Sequence, residues 1–338
     1  MKRMTLAAPS GKCDILIGEK LANVAKYAKG EKVVVVTDSN VRKLYGAKFP
    51  LCEVIEIGTG EKNKTLATVE KIYGRFLELE LERSSFVIGI GGGIVTDVTG
   101  YAATNYVRGM GFGFVATTLL AQVDAAIGGK NGVNFKGYKN IIGTVRQPSF
   151  CICDPEVLGS LPPREVRNGL AEAIKTAAIA DASLFDYLEK NMGAALKLDG
   201  AAMENIVAGC VTVKAGIVSR DESEHGERML LNFGHTLGHA LEKTTRMPHG
   251  EAVAIGMARA AELSVAKGML AKGEAERLLA LIKAAGLPTD AEMERNGIVD
   301  AIRKDKKRAG GKIRMVLLER LGKAKICEVE IDELAALR

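Results

Sequence analysis

Three of the four histidines of this 338-residue chain fall within a short stretch, at His235, His239 and His249. A helix is predicted over 229–244. There His235 and His239 are four residues apart and share a face. Extending that face backwards adds Asn232 and Arg228, with Leu230, Leu231, Phe233, Leu237, Ala240 and Leu241 around it. A solvent-facing stripe would carry Lys and Glu; this one carries a guanidinium, an amide and two imidazoles. Spacing alone points to His235 and His239 as a metal-binding pair. The alternative is one satisfied core histidine and one surface histidine. His249 follows Pro248 and precedes Gly250-Glu251, which predicts a helix start. Any further ligand has to come from far away in sequence.

Two other clusters could do chemistry. Glu172 and Lys175 stand three apart among Ala, Ile and Leu. They either point into a site or form an ordinary surface pair, and the sequence by itself favours the surface pair. Lys214 is a lone cation in the apolar stretch Cys210–Ile217, where it either extends to water or meets an anion. The apolar run Phe86–Ile90 ends in Gly91-Gly92-Gly93, followed by Ile94-Val95-Thr96-Asp97. Glycines between a strand and a helix let backbone N–H groups approach a pyrophosphate. The spacing departs from G-x-G-x-x-G, because Ile94 stands where the third glycine belongs, so a plain strand–helix turn is the competing reading. Asp38 ends another apolar run. It could accept from ribose hydroxyls, or cap the next helix, which is the commoner role.

The elements that must position these residues divide into two kinds. Apolar runs of strand length occur at 32–37, 53–57, 86–90, 113–116 and 150–153, with an amphipathic helix over 65–81 between them. Buried strands alternating with helices predict a mostly parallel sheet covered on both faces. The second half reads as helices at 163–180, 184–190, 201–219, 229–244, 250–267 and 272–285, with a closing hairpin at 313–318 and 324–329. The expected fold is α/β: a Rossmann-like dinucleotide-binding domain over 1–154 and a mostly helical domain over 155–338. With 5% aromatics, no Trp and a formal charge of +6, nucleic-acid binding is not favoured, whereas anionic small substrates fit. Six scattered cysteines without a C-x-x-C pair suit a reducing cytoplasm. The N-terminal residues lack the apolar core of a signal peptide, and no charge-free apolar run reaches membrane-spanning length.

Taken together, the motifs resemble the 3-dehydroquinate synthase family over roughly residues 30–320. They are Gly60–Thr65, Gly91–Asp97, Thr117–Asp124, Gly128-Gly129-Lys130, Leu161–Glu165, Gly169–Glu172, Leu231–His239 and His249–Ala252. The resemblance implies a Zn2+ site, with Co2+ as the alternative ion, made by Glu172, His235 and His249. That displaces the spacing-based pair, since the family uses the position of His239 near a substrate phosphate. It implies NAD contacts at Asp38, Glu61, Lys64, Gly92, Gly93, Ile94, Asp97, Thr117, Thr118, Lys130, Lys139 and Ser160. Substrate and catalytic roles are implied for Asp124, Lys130, Asn140, Lys175, Lys214, Glu224, Arg228, Asn232, His239 and Lys306. Arg108 matches a residue donated across a homodimer interface.

The reaction so implied closes 3-deoxy-arabino-heptulosonate 7-phosphate, an anionic sugar phosphate, into the carbocycle 3-dehydroquinate with release of phosphate. NAD is oxidant and then reductant without net turnover, so the enzyme is a lyase of the shikimate pathway. A sister sugar-phosphate cyclase and a metal-dependent polyol dehydrogenase are the alternatives. Departures from the family pattern occur at Thr176, Tyr138 and Val145-Arg146, and the 242–249 loop is short. None removes an implied ligand.

Overall fold

The computed structural model describes residues 1–245, 247–290, 312–331 and 333. By contact the chain forms two compact units. The first is Met1–Pro162 with Met203–Ser223, and the second is Pro163–Ala202 with Glu224–Arg338. The sequence-based boundary stood at Asp154–Pro155.

The first unit is built on a seven-stranded sheet. Its strands are β1 (Lys2–Ala8), β2 (Gly11–Ile17), β3 (Val33–Asp38), β4 (Glu53–Ile57), β5 (Phe86–Gly91), β6 (Gly111–Ala116) and β9 (Phe150–Cys153), in the order β1-β2-β9-β6-β5-β3-β4. All neighbours run parallel except the β1–β2 hairpin. Helices α1 (Ser39–Tyr45), α2 (Leu66–Glu78) and α3 (Gly93–Asn105) follow β3, β4 and β5. Every residue of β5 is buried, as a strand covered on both faces requires. Val35, Ile88, Ile90, Val115 and Ile152 form part of one core cluster. A separate hairpin, β7 (Lys130–Phe135) with β8 (Tyr138–Val145), packs β7 against α3.

The order of strands matters for function. The chain goes from β3 out to β4, then returns to place β5 on the other side of β3 and β6 beyond it. The sheet therefore reverses its winding between β3 and β5, and a crevice opens there at the carboxyl ends of the strands.

The second unit holds α4 (Pro163–Ala180), α5 (Ala182–Leu196), α7 (His235–Thr245), α8 (His249–Ala266), α9 (Lys272–Ala284) and the hairpin β10 (Lys312–Arg320) with β11 (Lys323–Glu330). Pro163 opens α4, where its missing N–H costs nothing. Helix α8 packs against both α4 and α7. The remaining helix, α6 (Gly200–Arg220), starts in the second unit and runs on into the first. It is long and apolar enough to cross a membrane by length and composition, and 56% of its most apolar window is buried inside the protein.

Two differences from the sequence expectation stand out. The helix predicted over 229–244 is broken: Glu227–Asn232 is a 3-10 turn, Gly234 has a φ of 78°, and α7 begins only at His235. A side chain at Gly234 would lie 2.7 Å from the Val253 carbonyl of α8, so the break and the close approach need the same glycine. Arg228 and Asn232 are thus off the histidine helix. The hairpins β1–β2 and β7–β8 were not read from the sequence at all.

Candidate metal centre and dinucleotide-binding turn

In the second unit, α4, α7 and α8 bring Glu172, His235 and His249 together. Glu172 is wholly buried, and its Oε1 lies 3.1 Å from His249 Nε2 and 3.6 Å from His235 Nε2. Oε2 lies 2.5 Å from Lys175 Nζ, one turn along α4 and equally buried. This corrects the surface reading of the pair. The polar stretch of α4 turns inward because Ala171, Ala173, Ile174 and Ala177 around it are core residues.

The outer nitrogens fix both rings. His235 Nδ1 lies 3.1 Å from the Phe233 carbonyl, which can only accept, so Nδ1 carries the proton and Nε2 presents its lone pair. His249 Nδ1 lies 3.2 Å from Glu242 Oε1, and donates to that carboxylate. Two imidazole nitrogens and one carboxylate oxygen then converge, each ring anchored through its other nitrogen, which is the arrangement of a zinc ligand set. The ligand atoms lie within 4.8 Å of one another. The donors fit a Zn2+ or Co2+ ion.

The electrostatics agree. Burial pushes the Glu172 carboxyl up, but Lys175 and then the two imidazoles outweigh it and hold it well below the usual carboxylate range. Burial, reinforced by Lys175 and the neighbouring imidazoles, drives His235 down to about 3. Burial also opposes protonation of His249, yet its hydrogen bonds to Glu172 and Glu242 prevail and raise it to about 10. Without a metal, then, His249 carries the cation that an ion would replace.

His239, exposed on α7, faces the other two rings, with centroids 5.3 Å from His235 and 6.3 Å from His249. It is absent from the Glu172 donor set, so the spacing-based pair His235–His239 is not the cluster the fold assembles. Arg228 is buried. Asn232 donates to Glu224 Oε1 at 2.5 Å, and Glu224 has a φ of 61°. Lys306 lies outside the described residues.

In the first unit the glycine turn sits at the carboxyl end of β5, beside Asp38 at the end of β3. Gly92 caps α3 and Gly93 is its first residue. A Cβ on Gly92 would lie 2.9 Å from Thr118 Cγ2, and one on Gly93 would lie 3.1 Å from Ala125 Cβ. A side chain at either position is crowded by these neighbours, and the bare backbone leaves the N–H groups that open the helix accessible, as a pyrophosphate cradle requires. Ile94 continues into the helix, Thr117 N–H donates to Gly91 O at 2.9 Å, and Thr118 Oγ1 accepts from Ala121 N–H at 3.1 Å. Lys64 pairs with Asp97; burial raises the Asp97 carboxyl while Lys64 opposes it. Asp38 Oδ1 accepts from the N–H groups of Asn40 and Val41 at 2.9 and 3.0 Å, so the capping role is real. Glu61 Oε1 accepts from Asn134 Nδ2 at 2.8 Å, tying its turn to β7. Ser160 bonds the Tyr45 hydroxyl at 2.7 Å, at the far end of α1 from Asp38.

Of the other implied contacts in this unit, Lys214 reaches back from α6 to donate to the Asp124 carbonyl at 2.7 Å and to pair with its carboxylate. It neither extends to water nor stands alone. Lys130, Lys139 and Asn140 lie exposed on the β7–β8 hairpin. Arg108 follows Val107, and both have left-handed backbones, with φ of 62° and 44°. At the departures, Tyr138 is exposed, Thr176 is buried, and Arg146 lies over the Phe112 ring at 5.8 Å. Sequence reasoning missed Glu242; a carboxylate seven residues before His249 carries no signal until α7 and α8 pack.

Fold and site define a class: an α/β protein with a glycine-rich turn at the carboxyl end of a parallel sheet, and a nitrogen–oxygen donor set in a separate helical unit. Family models narrow it. Residues 54–168 match 3-dehydroquinate synthase N-terminal, and residues 169–308 match 3-dehydroquinate synthase C-terminal. A 3-dehydroquinate synthase of Caldanaerobacter subterraneus is 44% identical over 92% of this chain and 90% of its own. That of Dichelobacter nodosus is 41% identical over 97% and 94%. The 2-epi-5-epi-valiolone synthase of Streptomyces hygroscopicus, solved with NAD+ and Zn2+ bound, superposes with a TM-score of 0.88 at 30% identity, covering 98% of this chain and 96% of its own. The chain belongs to the 3-dehydroquinate synthase family.

Proposed function

We propose that this chain converts 3-deoxy-arabino-heptulosonate 7-phosphate to 3-dehydroquinate and phosphate, using NAD and one Zn2+ or Co2+ ion. One observation carries the reading most: two anchored imidazoles aim their inner nitrogens at one oxygen of a buried glutamate. When bound, NAD supplies a reversible hydride acceptor, and the metal a Lewis acid toward the substrate hydroxyls.

The protein's own residues do the rest. Glu172, His235 and His249 would hold the metal, and Lys175 favours the ionised form of Glu172. The turn at Gly91–Gly93 takes the pyrophosphate, Asp38 a ribose, and Lys64 and Asp97 form a polar wall beside them. Arg228 and Lys214 hold the substrate carboxylate, Lys214 exchanging Asp124 for it. Lys130, Asn140, Asn232, His239 and Lys306 hold the phosphate, with Glu224 fixing the Asn232 amide. With a ketone on the substrate the adjacent C–H would be acidic, and the phosphate held by these residues would accept that proton as it leaves. For the intramolecular aldol closure, the contribution of these residues would be to hold the opened substrate in one conformation.

A homodimer with Arg108 reaching its partner, and a cytoplasmic location suited to six free cysteines, complete the proposal. The test is phosphate release with NAD well below substrate concentration, NADH absorbance being followed in parallel. Many phosphates per NAD with no accumulated NADH is expected. NADH build-up without phosphate would make the protein a dehydrogenase instead.

A further inference from the structure

His249 has both ring nitrogens facing carboxylates: Nε2 toward Glu172 at 3.1 Å and Nδ1 toward Glu242 at 3.2 Å. The Glu242 side is more than a support. Glu242 lies on α7 three residues after His239, so the two share a helix face. One donor atom each from His239, Glu242 and His249 lies within 4.8 Å of the other two, so a small side-chain adjustment brings all three to the roughly 2.0–2.2 Å that such an ion requires. The Glu242 side chain is 6% exposed, so its charge is poorly offset by water, while His239 is exposed and opens this position to solvent.

We infer a second divalent-metal position formed by His239, Glu242 and His249 Nδ1, which takes borderline ions such as Zn2+ or Co2+. It rests on the reading of Glu172, His235 and His249 as the first position, because the two share one imidazole. Binding the second ion breaks the Nδ1–H bond of His249, the proton leaving to solvent, and the freed electron pair forms the new metal–nitrogen bond. Glu242 changes from hydrogen-bond acceptor to ligand. The second position is the weaker of the two, since it takes the last ring proton of His249 and leaves an imidazolate, and one donor stands in solvent. Occupation also withdraws His239 from the phosphate contact proposed above, so excess metal inhibits turnover.

The experiment is a Co2+ titration of the metal-free full-length protein, followed by visible absorbance and by metal content after gel filtration. The wild type should take up two equivalents in sequence, with a distinct spectrum for each. His239→Ala should keep the first equivalent and its spectrum and lose the second; that retained spectrum also reports an intact fold. Glu172→Gln should weaken the first equivalent. A wild type that stops at one equivalent, or a His239→Ala protein that still binds two, overturns the second position. A Glu172→Gln protein that binds the first equivalent unchanged refutes the first position separately.

Discussion

Lys175 Nζ lies 2.5 Å from Glu172 Oε2, one turn along the same helix, with both side chains shut away from solvent. The other oxygen of Glu172 faces His235 and His249. One buried carboxylate is therefore divided between the Lys175 amine and a candidate metal position. Removing one partner of a buried ion pair leaves the other uncompensated, at a cost of about 3–5 kcal/mol. Because the His249 cation still faces Glu172, Lys175→Met should lose up to about 3 kcal/mol in urea denaturation of the metal-free protein. Saturating Zn2+ should restore much of it, because the ion offsets the stranded charge. Equal losses with and without Zn2+ would separate Lys175 from the metal centre.

Metal uptake should release a proton. In the metal-free protein His249 is raised from 6.5 to about 10, and His235 is lowered to about 3. At pH 7–9 His235 is already neutral and His249 is still a cation, so binding the first ion through Nε2 expels about one proton per metal. Zinc affinity should then rise about tenfold per pH unit across that range and level off near pH 10. The sign for stability is opposite. A raised folded-state value stabilises the metal-free fold fully below pH 6.5 and is lost as pH climbs through about 10. Calorimetric titration in buffers of different ionisation enthalpy counts the protons; a count of zero would mean that His249 is not a ligand.

The glycine turn offers a test confined to the first unit. A methyl at Gly92 would sit 2.9 Å from Thr118 Cγ2, where backbone is needed for the pyrophosphate. Gly92→Ala should weaken NAD binding by tenfold or more, on the order of 1.4 kcal/mol, while leaving Co2+ uptake unchanged. Fluorescence titration with NADH and cobalt absorbance measure the two independently. Loss of both would mean a folding defect rather than a blocked cradle.

Legibility followed the range of the interactions. Strands β3, β4, β5, β6 and β9 showed as apolar runs because burial on both faces is a local compositional constraint, and each run lies within two residues of its strand at either end. The β1–β2 and β7–β8 hairpins did not show, since β8 is mostly exposed and carries no buried stripe. At the candidate metal centre, spacing pairs His235 with His239, whereas the fold gathers His235 with Glu172 and His249. His235 and His239 share a face, but the ligand set is completed by the packing of α8 on α7 and α4, which periodicity cannot report. As a metal ligand Glu172 entered only through family resemblance; from the sequence alone it stood in a pair that either pointed into a site or lay on the surface, the latter being favoured. The break at Gly234 was hidden because leucines on both sides continue a helical pattern.

Asp38 has a structural job that any functional test must hold constant. Its Oδ1 accepts from the N–H groups of Asn40 and Val41 at the start of α1, while its position at the end of β3, beside the winding reversal, suits a ribose contact. Asp38→Ser keeps a capping oxygen and removes the carboxylate; Asp38→Ala removes both. The Ser variant should stay within a few tenths of a kcal/mol of the wild type in stability and bind NAD several-fold more weakly. The Ala variant should lose about 1 kcal/mol as well. Thermal unfolding and NAD titration on both proteins separate the two roles. If the Ser variant binds NAD as tightly as the wild type, Asp38 is a cap and nothing more, and the ribose must be held elsewhere along the crevice between β3 and β5.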